Sequence, residues 1–380
     1  MNEEFFRNTF FPLIRAGLRL SNEDVAFDKA DYSKLVGTAQ DQAVLPIVTE
    51  GLRNLEIADN DPEFAQELCD ICDTDIALFL HRDIALENIK KCFEKHEIDY
   101  VFLKGSELKD LYPEPWMRTS CDIDVLVREE DVDEAVSALK KETDFEYQNR
   151  SFHDVFLTSE NVNLELHFNI NENMESIDKL LSKAWENTVK CGESHQFCFT
   201  AEYRIFHIIA HMFYHFAHGG LGIRPYIDLW LLRHKTEFDD NAVRTMCDQC
   251  GILKFYEKSC ELSEVWLEKS EHDNVTRQLE QYCLNGGVFG SKKNRVLAIK
   301  RKHKGIRYFF SRMFVSRKSL QITYPGLKKH PNLIFFYQIR RWIDAIIHSR
   351  SKIKNEITIL KNSNDEEVES ISQLFDYFGV

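Results

Sequence analysis

A chain of 380 residues, 43% of them hydrophobic, has the material for two or three packed domains, and its 15 Gly and 8 Pro are too few for a collagen-like or low-complexity protein. Lys+Arg 48 against Asp+Glu 62 leaves net −14, and the hydrophobic content rules out disorder as the main state. No apolar run approaches the ~20 residues that cross a bilayer. The start, Met1-Asn2-Glu3-Glu4, carries acids where a secretory leader carries positive charge, so a cytoplasmic protein is expected. Ten cysteines in such a chain are expected as reduced thiols. Cys69/Cys72 and Cys247/Cys250 have C-x-x-C spacing, which reads either as buried thiols on helix faces or as ligands of a zinc ion.

From Asp61 to about Glu97, apolar residues recur at helical intervals (Phe64, Leu68, Ile71, Ile76, Phe79, Ile84, Ile89, Phe93), so the N-terminal quarter reads as helical. Ile98 to Leu103 reads as a strand, Lys104-Gly105-Ser106 as a tight turn, and the residues through Leu111 as a short helix. Tyr112-Pro113-Glu114-Pro115 breaks the chain before a second strand, Cys121 to Val127, rich in β-branched residues. A helix is expected from Asp131 to Lys141, then antiparallel strands over Phe152–Leu157 and Val162–Phe168, where the sheet is expected to close. Thr200-Ala201-Glu202 opens a long helix, and helical patterns dominate to the end. Between Ser291 and Lys361, 19 Lys+Arg face 2 Asp+Glu, with aromatics interleaved. That segment reads either as a surface for nucleic acid or an anionic partner, or as solvated helix faces that balance an acidic body.

Alternation in the second strand puts Asp122 and Asp124 on one face, opposite Ile123, Val125 and Val127. Two carboxylates so close raise each other's pKa unless a cation lies between them, and the alternative is a solvated strand face. Glu165 is the lone acid between Leu164 and Leu166 on a later strand, with His167 on its side. Carboxylate oxygens suit Mg²⁺, or Mn²⁺ in its place, with substrate phosphates completing the shell. The Gly105-Ser106 turn at a helix start, with Lys104 and Arg118 nearby, supplies amides and positive charge for a triphosphate.

His207, His211, His215 and His218 fall within about 80° of one helix face at ~100° per residue. This seam reads as satisfied core histidines, as a zinc or iron site that lacks the Glu of H-E-x-x-H, or as a cleft wall that positions substrate. Arg224 and Asp228, at i and i+4, would pair with each other or face the nucleotide.

Val101-Phe102-Leu103-Lys104-Gly105, Leu111-Tyr112-Pro113, Arg118 and Asp122-Ile123-Asp124-Val125-Leu126-Val127 together resemble the uncharacterised bacterial nucleotidyltransferase family, within the DNA polymerase β-like superfamily. Leu164-Glu165-Leu166-His167, His211 through Gly220, Arg224, Asp228-Leu229, Tyr324-Pro325 and Pro331-Asn332-Leu333 are similar to later parts of that family. Two positions depart from its pattern, Glu165 where Asp is commoner and Ser106 where a small apolar residue is commoner. The resemblance implies an α+β fold, a small mixed polymerase β-like sheet flanked by helical lobes. The expected divisions are a helical segment at 1–95, a nucleotidyltransferase core at 96–190 and a helical lobe at 200–380 that includes the basic segment 291–361. It also implies Mg²⁺-dependent transfer of a nucleoside monophosphate from an NTP to a hydroxyl acceptor. Asp122 and Asp124 would hold metal and Glu165 would complete the metal site or help deprotonate the acceptor, Lys104, Gly105, Ser106 and Arg118 would bind the nucleotide, and His167, His211, His215, Arg224 and Asp228 would line the substrate cleft. The alternative is a protein of the same fold that binds NTP or nucleic acid without turnover.

Overall fold

The computed structural model describes residues 3–287 except 26, 58–60 and 160–161, together with 294, 320, 324, 333–348 and 365–380. The chain starts in short helices, α1 (Glu3–Phe5), a π-helical turn (Phe6–Phe10) and α2 (Phe11–Gly17), followed by α3 (Tyr32–Asp41) and α4 (Leu45–Asn54). Helix α5 (Pro62–Lys95) starts where Asp61 accepts a hydrogen bond from the Phe64 amide at 3.1 Å and Pro62 occupies the first turn. It runs through 34 residues because it serves two cores in succession. Phe64 and Leu68 join the core shared by the N-terminal helices and the C-terminal lobe. Leu86, Ile89, Cys92 and Phe93 pack beneath the sheet. The stretch between, with Leu78, Leu80 and Ile84, is exposed.

The sheet is mixed and has seven strands among the described residues, in the order β3-β4-β5-β2-β1-β7-β6. The strands are β1 (Tyr100–Leu103), β2 (Asp122–Val127), β3 (Glu146–Arg150), β4 (Asp154–Thr158), β5 (Asn163–His167), β6 (Thr188–Lys190) and β7 (Gln196–Phe199). Interleaved with them are α6 (Gly105–Leu108), α7 (Val132–Glu142) and α8 (Glu175–Leu181). β1 and β2 are antiparallel, while β5 runs parallel to β2 and β7 parallel to β1. One sheet face presents Tyr100, Phe102, Ile123, Val125, Val127, Leu164 and Leu166 to α5 and α7. The other presents Val101, Leu103 and Leu126 to the helical lobe. Burying both faces accounts for the almost continuous apolar character of β1 and of the C-terminal half of β2.

The lobe consists of α9 (Ala201–Ala217), capped where Thr200 Oγ1 accepts from the Tyr203 amide, then α10 (Arg224–Lys235), α11 (Asp240–Gln249), α12 (Leu253–Glu268) and α13 (Asn274–Gly286). Two more helices, α14 (Ile334–His348) and α15 (Asp365–Phe378), follow. α15 seats Phe375 and Phe378 against Phe216 of α9, with ring centroids 4.7 and 5.3 Å apart. The N-terminal helices pack on this lobe as well: Phe11 stacks on Trp266 at 5.1 Å, and the Ile223 amide donates to Gln42 Oε1 at 2.9 Å.

The fold is α+β with helical flanks, and three details differ from the sequence reading. The sheet does not close at Phe168; β6 and β7 extend it beyond β1, and β3 extends it beyond β4. β3 is fully exposed and β6 has only three residues, so neither carries an apolar alternation. Cys191 and Cys198, drawn together across the β6–β7 hairpin, form a disulfide, whereas the other eight cysteines are free thiols. The basic segment 291–361 lies largely outside the described residues, and no described helix is long and apolar enough to cross a membrane.

Candidate active site

Parallel pairing of β2 with β5 sets Asp124 beside Glu165, and laterally paired residues share a sheet face. Asp122, two residues earlier, lies on that face too, which looks toward the helical lobe. Three carboxylates from two strands thus share one sheet face, and the register accounts for it.

The turn after β1 supplies the first counter-charge. Lys104 has φ 50° and ψ −117°, a region that costs a non-glycine residue of order 1–3 kcal/mol. Its Nζ donates to Asp124 Oδ1 at 3.1 Å. A Cβ at Gly105 would lie 3.0 Å from Ser120 Oγ and 3.3 Å from Arg118 Nη1, so any larger residue would require those side chains to shift. Gly105 is therefore covered by Ser120 and Arg118, and Ser106 is half-buried. Gly105, Ser106, Arg82, Lys109, Ser120 and Asp122 border a cavity of about 30 Å³, room for a water molecule.

His167 supplies the second counter-charge. Its Nε2 is 2.8 Å from Asp124 Oδ1 and 4.0 Å from Glu165 Oε2, and its Nδ1 is 2.6 Å from Asp154 Oδ1. Burial disfavours the imidazolium, but hydrogen bonds to Asp124 and Asp154 outweigh it and raise the pKa to about 9. Burial likewise pushes Asp124 up, and Lys104 with His167 overrides that, holding it far below the usual carboxylate range. Asp122 and Glu165 are pushed above that range, first by burial and then by the charge of Asp124. Donor atoms of Asp124, Glu165 and His167 lie within 4.8 Å of one another, a set that fits a divalent cation. Asp122 adjoins this trio without belonging to it.

The two arginines divide their roles. Arg118 holds Asp228 through Nε–Oδ1 at 2.7 Å and Nη2–Oδ2 at 2.8 Å, and Tyr112 donates to the same Oδ1 at 2.6 Å. Asp228 therefore pairs across the interface between sheet and lobe, and not with Arg224 one turn away. Arg224 donates from Nη1 to the Thr119 carbonyl at 3.0 Å, and its buried Nε has no hydrogen-bond partner among the described residues. Burial, and then the neighbouring Arg118, lower the Arg224 pKa to about 10.

The histidine seam of α9 splits along its length. His207 is buried, packs edge-on against Phe199, and has no partner for Nε2 among the described residues. His211 Nδ1 is 2.8 Å from Glu172 Oε1, and His211 Nε2 is 3.0 Å from His215 Nε2. His218 is exposed and bonds the Tyr214 carbonyl. Burial is the largest influence on His207, His211 and His215, lowering all three; His207 and His215 fall to about 3, so the buried part of the seam is neutral at pH 7. Among the described residues the two C-x-x-C pairs form no joint ligand group.

Sequence reasoning overlooked Asp154 and Glu172. Asp154 begins the strand paired antiparallel to β5, opposite His167, so a hairpin register was the available signal. Glu172 lies in an irregular loop after β5, and only the tertiary fold brings it to α9.

A mixed sheet that presents acids from two neighbouring strands beside a Lys-Gly turn, covered by a helical lobe, is the arrangement expected of the nucleotidyltransferase class. The model of the family described as uncharacterised nucleotidyltransferase matches residues 28–268, and the chain belongs to that family. The match takes in the turn, all three carboxylates and α9 to α12, and stops before the Tyr324–Leu333 pattern. No curated protein and no solved structure gives a significant match.

Proposed function

We propose that the protein transfers a nucleoside monophosphate from an NTP to a hydroxyl acceptor and releases pyrophosphate. The observation that carries this reading is the register of Asp124 with Glu165, beside Asp122, on the sheet face toward the lobe. In this reading Asp122, Asp124 and Glu165 hold Mg²⁺, or Mn²⁺ in its place, with His167 at their edge. Bound there, the metal neutralises phosphate charge and lowers the barrier to in-line displacement.

The chain's own residues bind and orient. Lys104 holds Asp124 in place and presents an ammonium to the phosphates. Arg224, with donors to spare, is the better triphosphate clamp, while Arg118 fixes the turn from behind through Asp228. Ser106 adds a hydroxyl at the mouth of the turn. Fixed donors around a phosphoryl group contribute mainly through positioning and electrostatics. The acceptor would enter from the α9 side, past His211 and His215. The protein is expected to act in the cytoplasm, and segment 291–361 would give it a foothold on nucleic acid or another anionic surface.

One observation favours a binding-only alternative: Lys104 and His167 both contact a single oxygen of Asp124, an arrangement that balances its charge without metal. A direct test incubates the protein with each α-labelled NTP, Mg²⁺ and an extract of the source cells. Label moving into an acceptor, lost in Asp124→Asn and in Asp122→Asn, supports transfer. Metal-dependent NTP binding with no label transfer and no pyrophosphate selects the alternative.

A further inference from the structure

Transfer to a hydroxyl requires a base for the acceptor proton, and the three clustered carboxylates are poor candidates when engaged with metal. Outside that cluster the structure contains a second acid. Glu172 is buried in the loop after β5, with its side chain 11% exposed, and its Oε1 is held by His211 Nδ1 at 2.8 Å. The outer nitrogen of His211 is in turn occupied by His215 at 3.0 Å, so the imidazole is fixed at both ends. The Glu172 amide donates to Asp178 Oδ1 at 2.8 Å, which anchors the backbone of the loop. Lys104 is the strongest charge acting on Glu172, and after Asp124 Glu172 is the strongest acting on Lys104, so this carboxylate lies within electrostatic reach of the Lys104–Asp124 pair.

We infer that Glu172 is the general base for the acceptor hydroxyl, with His211 and His215 as positioning residues. The inference rests on the transfer reading above and separates the duties of two acids: Glu165 holds metal and Glu172 takes the proton. The acceptor O–H bond breaks and its proton moves to the free oxygen of Glu172. The acceptor oxygen bonds to the α-phosphorus, and the bond from that phosphorus to the bridging oxygen breaks, leaving its electron pair on pyrophosphate. Burial raises the proton affinity of Glu172 above that of an ordinary carboxylate, the direction a general base needs. His211, kept neutral, donates Nδ1–H to Oε1 and leaves Oε2 for the substrate, the arrangement by which a base is usually oriented.

The test uses the full chain, α-labelled ATP, Mg²⁺ and a heat-treated extract as acceptor source, and follows initial rates of label incorporation. Glu172→Gln keeps the shape and can still accept from His211. It should lower the saturated rate by roughly 10²-fold or more, with half-saturating ATP and Mn²⁺ affinity unchanged. Formate added to Glu172→Ala should restore part of the rate, a response that a packing role would not produce. A Glu172→Gln rate within threefold of wild type overturns the assignment while leaving the transfer reading intact. Loss of Mn²⁺ affinity equal to that of Glu165→Gln also overturns it, making Glu172 a ligand. A wild type that binds ATP and Mn²⁺ yet transfers no label overturns the transfer reading, and the base falls with it.

Discussion

Asp228→Ala is the perturbation that most directly tests how the site is held. The Arg118 and Asp228 side chains are 6% and 5% exposed, and three hydrogen bonds, two from Arg118 and one from Tyr112, converge on the Asp228 carboxylate. Removing the acid leaves a guanidinium buried without its partner, and a change of that kind costs about 3–5 kcal/mol. Losing the acceptor of the Tyr112 hydroxyl adds to the same loss and is not independent of it. We expect a destabilisation of about 4 kcal/mol, which with a slope of about 3 kcal/mol per molar urea lowers the unfolding midpoint by roughly 1.3 M. The assay is urea unfolding followed by tryptophan fluorescence. Replacing both partners with apolar residues, Arg118→Met with Asp228→Leu, should recover most of the loss, because neither charge then needs a partner. A loss below about 1 kcal/mol in the single variant, or a double variant as unstable as the single one, would refute the claim that this pair is a buried bolt between sheet and lobe.

Three further outcomes follow from the geometry. Gly105→Ala places a methyl group 3.0 Å from Ser120 Oγ and should cost about 1–3 kcal/mol, read from the shift in urea midpoint; an unchanged midpoint would mean that the turn relaxes freely. Asp154→Asn withdraws the charge that holds His167 Nδ1 at 2.6 Å, and should weaken Mn²⁺ binding by about 10–100-fold, measured by electron paramagnetic resonance of free Mn²⁺; equal affinity would separate His167 from the metal group. Among the described residues Asp75 has a buried oxygen with no hydrogen-bond partner, and burial, partly offset by Arg82, raises its pKa from 3.8 to about 6. The folded state thus binds a proton more tightly than the unfolded chain, so this group's contribution is most favourable below about pH 4 and is lost as pH rises through about 6. Asp75→Asn should flatten that fall, by about 1 kcal/mol after allowance for partial solvation, in midpoints measured at pH 4, 5, 6 and 7. Parallel wild-type and variant curves would remove Asp75 from the account.

Local patterns made much of this legible in advance. The period of two in Cys121–Val127 fixed which way Asp122 and Asp124 point, because a strand has no other choice once Ile123, Val125 and Val127 are buried. The helical repeat through Phe64 and Phe93 located α5, but the sequence held no sign that its two ends serve different cores. The Arg224–Asp228 spacing is that of a helix ion pair, yet Arg118 lies closer in space and takes the carboxylate with two hydrogen bonds. A single turn of helix offered the weaker geometry, and the interface between sheet and lobe offered the better one.

Composition, alternation and spacing therefore determined β1, β2, β4 and β5, the main helical stretches and the three acidic positions, since each depends on residues within a few places along the chain. Which strands lie side by side, that Asp154 orients His167, that Glu172 reaches His211, and that β6 and β7 complete the sheet all depend on contacts between distant segments. Their free energy comes from burial and from matching of charge in three dimensions, and no local window of sequence contains it.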